Sequence, residues 1–63
     1  SEIEDDYVAV KSIIGRHPMN QFELNGFLDS RGTENKEEMI EQMKRDEEIE
    51  VIDYKGILTF RLR

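Results

Sequence analysis

The 63-residue sequence predicts an α+β fold, three helices followed by a C-terminal β-hairpin. Three observations predict it. Apolar residues recur at helical spacing in three successive stretches, each followed by a glycine, a proline or a polar turn. From Ile49 the pattern changes to alternating β-branched, aromatic and polar residues. The length accommodates one domain and leaves no room for a second.

The first helix is placed by Tyr7, Val10, Ile13 and Ile14, which share one helical stripe. It is expected from about Asp6 to Ile14, with Gly15 ending it and Pro18 blocking continuation. Residues 1–6 carry four acids. They read as a flexible, solvated lead-in that also sets negative charge at the positive end of the helix dipole.

The second helix opens at Asn20, an N-cap type, with Glu23 in the capping-box position. Met19 and Leu24 have the spacing of a hydrophobic staple, and Phe27 and Leu28 extend the apolar face. Gly26 within it is expected to allow close approach of another helix, and Gly32 to end it. Asn35 and Glu38 repeat the cap spacing, so the third helix is expected from about Lys36 to Asp46, burying Met39, Ile40 and Met43. Ile49–Asp53 then reads as a strand, Tyr54-Lys55-Gly56 as a turn and Ile57–Leu62 as the return strand. Leu58, Phe60 and Leu62 alternate with Thr59 and Arg61 and so face the core.

Hydrophobic residues make up 37% of the chain and charged residues 38%, but the periodicity of the apolar set argues for a folded domain over a disordered one. There is no cysteine, which excludes disulfides and Cys-based zinc sites and fits a cytoplasmic or nuclear, hence intracellular, setting. No apolar run approaches the ~20 residues that span a bilayer. The acidic start is unlike the basic head of a signal peptide. The abrupt beginning at Ser1 reads as a domain cut from a longer protein or as a tag remnant. Net charge is −6, divided unevenly: residues 34–50 sum to −5 and residues 51–63 to +2. Such a chain repels phosphate and anionic membranes at long range, and the hairpin is its one basic piece.

Nothing in the sequence builds a catalytic or metal centre. The lone histidine, His17, stands beside Pro18 at a turn, with no nucleophile–base–acid set to join. Residues 29–40 superficially resemble a calcium loop. Arg31 takes the third position, Gly32 comes fourth where the sixth is needed, and Ile40 replaces the closing glutamate. The glycines are scattered, so no phosphate loop forms. No catalytic residue, cofactor or metal is expected. The methionines have core spacing.

The order of elements, ending in MIEQMKRDEEIEVIDYKGILTFRL, resembles the winged helix-turn-helix superfamily across Tyr7 to Leu62. That resemblance implies a binding module. In DNA-binding members, the third helix enters the major groove and the wing touches an adjacent groove or phosphate. Projected at about 100° per residue, the side of this helix opposite Met39, Ile40 and Met43 carries Glu37, Glu38, Glu41, Gln42 and Arg45. Only Arg45 suits guanine and Gln42 adenine. Three carboxylates would meet a phosphate-lined groove.

Two readings follow. In the first, this face binds a protein with a basic surface, and the chain is an adaptor or regulatory domain of a transcription or replication machine. In the second, the wing contacts DNA through Lys55, Arg61 and Arg63. The sequence leaves the partner and the oligomeric state open.

Overall fold

The computed structural model describes residues 2–63, with side chains from residue 5 onward. The elements are α1 (Glu2–Arg16), β1 (Met19–Asn20), α2 (Gln21–Ser30), α3 (Lys36–Arg45), β2 (Ile49–Tyr54) and β3 (Ile57–Leu62). The fold is α+β, with winged-helix-like topology. The strands form one antiparallel sheet in the order β1-β3-β2. Ser1 and the side chains of residues 2–4 lie outside the described part; the expected flexible lead-in is helical from Glu2, with Asp5 exposed and Asp6 buried.

The core is one cluster. Val10 and Ile14 come from α1, Met19 from β1, Leu24 and Leu28 from α2, Met39 and Met43 from α3, Ile49 from β2 and Phe60 from β3. Phe60 is fully buried in β3, with Met19 and Val51 as its neighbours on either side in the sheet. Leu58, Leu62 and Ile40 are half-buried and pack against this cluster. Ile40 therefore flanks the core where the sequence placed it inside.

The first helix is longer at both ends than its apolar stripe indicated. Acids in its opening turns complement the helix dipole and extend it forward. At the other end Gly15 stays helical and does not stop it. A Cβ at Gly15 would lie 3.0 Å from Leu62 Cδ1, so the glycine marks where β3 packs closely on α1. Gly26, expected in that role, has open space around it.

The Asn20 cap forms in full. Asn20 Oδ1 accepts from the Phe22 and Glu23 amides, both at 2.9 Å, and Glu23 Oε1 accepts from the Asn20 amide at 2.9 Å. The end of α2 is a Schellman motif: Gly32 has φ +67°, its amide donates to Asp29 O, and the Thr33 amide donates to Leu28 O.

The same sequence signal fails at α3. Asn35 has φ 55° and ψ 43° and makes no side-chain cap bond. A cap must be extended for its side chain to reach the first-turn amides. The short link from Gly32 instead uses a left-handed residue to reverse the chain, a conformation asparagine tolerates.

Strand β1 was not anticipated. Two residues are too few for periodicity, yet Met19 pairs with Phe60 and Asn20 with Thr59. Gln21 continues this pairing with its side chain, Oε1 accepting from the Leu58 amide at 2.7 Å. In the hairpin, Tyr54 belongs to β2 and pairs with Ile57, leaving Lys55-Gly56 as the turn. Their φ values of 53° and 85° are those of a type I′ turn, whose twist matches the strands.

Candidate binding surfaces

Two ion-pair clusters fix the helices to their connections. Asp6, expected to be solvated, is buried in α1. Its carboxylate accepts from Arg31 Nε and Thr33 Oγ1, each at 2.7 Å, joining α1 to the α2–α3 link. Hydrogen bonds from Arg31 and then Thr33 hold its pKa below the ordinary aspartate value. At the far end, Asp46 Oδ2 accepts from Tyr7 OH at 2.7 Å and from Lys11 Nζ at 3.1 Å, while Oδ1 accepts from the Glu48 amide at 2.8 Å. Lys11 also pairs with Glu48. These clusters build the scaffold on which α3 and the hairpin are carried.

On α3, Met39 and Met43 turn inward and Glu37, Glu38, Glu41, Gln42 and Arg45 are all exposed. Spacing by four residues sets Glu37, Glu41 and Arg45 in one row and Glu38 and Gln42 in the next. Lys44 Nζ donates to Glu41 at 2.9 Å and lowers its pKa. Glu34, Asn35, Glu38, Met39 and Gln42 line a shallow cavity of about 120 Å³. The sequence marked Asn35 as a cap and did not place Glu34 or Asn35 on this face, because only the left-handed turn at Asn35 brings them to the helix. The face is thus acidic, and this cavity lies at its N-terminal half.

The wing cations do not form one patch. Lys55 is at the hairpin tip, its ammonium 5.3 Å from the centre of the Tyr54 ring. Arg61 pairs with Glu50 across the strands at 3.0 Å. Arg63 follows β3 at the opposite end, a strand length of roughly 20 Å from the tip. Lys36 and Lys44 are engaged too, with Asp29 and Glu41 respectively.

The register brings out a feature the sequence reading did not isolate. Residues opposite one another in a ladder share a face. Phe60 and Leu62 face the core, so Ile52, Tyr54 and Ile57 lie on the outer face, where they are 40%, 69% and 44% exposed. The alternation of Leu58, Phe60 and Leu62 was the available signal.

Among the described residues, no group of three or more acidic or histidine side chains is placed to hold a metal ion, and no helix is long and apolar enough to cross a membrane. No protein-family model matches the chain, and the searches of curated proteins and of solved structures give no match.

Proposed function

We propose that this chain is a non-enzymatic binding module of the winged-helix superfamily. In this reading it is a regulatory or adaptor domain of a transcription or replication machine, and α3 binds a protein partner with a basic surface. The observation that carries the reading is the solvent face of α3, where Glu37, Glu38, Glu41, Gln42 and Arg45 are exposed together. A net charge of −6 adds long-range attraction for a cationic partner and repulsion for phosphate. Rim charges of this kind act mainly on association rate. The test is surface capture of a candidate partner at two salt concentrations. The double variant Glu38→Lys/Glu41→Lys should associate more slowly and with weaker salt dependence, while dissociation changes less. Unchanged association with an intact circular dichroism spectrum would remove α3 from the interface.

One observation favours a second reading. Lys55 stands exposed at the wing tip, the place from which a wing reaches phosphate. In that reading Lys55, Arg61 and Arg63 contact DNA, and Lys55→Glu with Arg61→Glu abolishes binding.

A further inference from the structure

Strand β2 pairs with β3 alone, so among the described residues its other edge has no strand beside it. The ladder's phase is set at both ends. The Arg63 amide donates to Glu48 O at 3.0 Å, and Tyr54 faces Ile57 across the two-residue turn. Residues 48, 50, 52 and 54 therefore direct their main-chain groups toward β3. The alternation of an antiparallel ladder directs those of Ile49, Val51 and Asp53 away from it. The Ile49 amide is taken by Asp46 O at 3.0 Å. The Val51 and Asp53 amides, with the carbonyls of Ile49, Val51 and Asp53, remain on the open side.

An open edge is a template for another strand, and proteins usually blunt it with proline, lysine or a bulge. Here residues 46–54 contain Asp46, Glu47, Glu48, Glu50 and Asp53, and no Lys, Arg or Pro; Lys11 pairs with Asp46 and Glu48 and Arg61 with Glu50, which leaves the five acids in excess over two cations. Such an edge resists a second copy of itself, since like charges in neighbouring strands repel. It suits a strand of opposite charge. Ile52 and Tyr54 on the outer face offer apolar neighbours to alternate residues of that strand.

We propose that the open edge of β2 receives an extended segment of a partner protein as a fourth strand, in which lysine or arginine alternates with apolar residues. This rests on the protein-binding reading and adds a place and a chemistry to it.

The probe is a short synthetic peptide alternating lysine with valine. The chain is made by synthesis in two forms, the parent and one carrying an N-methyl group on the Val51 amide. That amide makes no bond to β3, so methylation leaves the sheet and the charge unchanged. The parent should bind the peptide with slowed hydrogen exchange at the Val51 and Asp53 amides. The N-methyl form should bind at least about tenfold more weakly, from a lost hydrogen bond and a blocked approach. If that chain does not fold, an N-methyl group on the Asp53 amide blocks the neighbouring outward amide, keeps the carboxylate that accepts from the Gly56 amide, and carries the same comparison.

Equal binding by both forms would reduce the effect to charge attraction and overturn the proposal. Absence of binding to the parent would do the same. Protection confined to α3 would also overturn it, while leaving the protein-binding reading in place. Protection of the β2 amides without peptide, in a chain that sediments as a dimer, would assign the edge to a second copy.

Discussion

Tyr7 in α1 donates its hydroxyl proton to Asp46, the residue that ends α3, at 2.7 Å across 39 positions of sequence. The bond ties the first helix to the turn that launches the hairpin. Burial, and then this bond, push the Tyr7 phenol up to about 12. The same bond is the main cause holding Asp46 down at about 2, helped by the Glu48 amide and by Lys11.

These shifts set the pH dependence of stability. A carboxylate held low contributes fully above its unfolded value of 3.8, and the contribution is lost as pH falls through about 2. A phenol held high contributes fully below 10.0 and loses its contribution as pH rises through about 12. Tyr7→Phe should lower the melting temperature at neutral pH and move the acid limb to higher pH. Thermal melts of both chains across the acid range check this. Superimposable acid limbs would show that the Tyr7 bond does not hold Asp46.

Phe60 is the largest fully buried side chain. Truncating a buried aromatic to alanine costs about 3–5 kcal/mol, and a domain of this size has little more in total. Phe60→Ala should be largely unfolded at room temperature by circular dichroism. A cooperative melt close to the parent's would contradict its place in the core.

The glycines separate by backbone. Gly26 lies inside α2 with open space around it, so Gly26→Ala should stabilise by up to about 1 kcal/mol through helix propensity. Gly32 has φ +67°, where a Cβ costs about 1–2 kcal/mol, so Gly32→Ala should destabilise. Urea midpoints should move in opposite directions, and a shared direction would contradict the backbone assignment.

The two Asn-x-x-Glu signals are alike in sequence and differ in structure. Asn20→Ala should cost about 1 kcal/mol, because it removes two bonds to helix amides. Asn35→Ala loses no cap bond, so its cost comes only from the strain of a left-handed alanine. Asn35→Gly should be neutral or stabilising, since glycine takes that conformation freely. Urea denaturation of the three variants checks the order.

The same contrast shows what the sequence could and could not reveal. Helical stripes and the β-alternation are local patterns, so all three helices, the hairpin and its inward Phe60 were legible. So was the α3 face, because residues three and four apart lie on one side of a helix. Strand β1 was not, since it exists only by pairing with β3. The Asp6–Arg31 and Tyr7–Asp46 bonds join residues far apart in sequence, which no local signal encodes. The pairing of Arg61 with Glu50 depends on a register that the turn at Lys55-Gly56 sets. The open edge of β2 likewise appears only once the strand order is known.

The choice between a protein-binding α3 and a DNA-binding wing is tested most directly by a salt titration of duplex DNA binding to the parent chain. Displaced counterions make log affinity fall linearly with log salt in proportion to the phosphates neutralised. The account predicts no measurable binding even at low salt, because the exposed face of α3 is acidic and the wing cations are dispersed. Measurable binding with a slope of several units would contradict it.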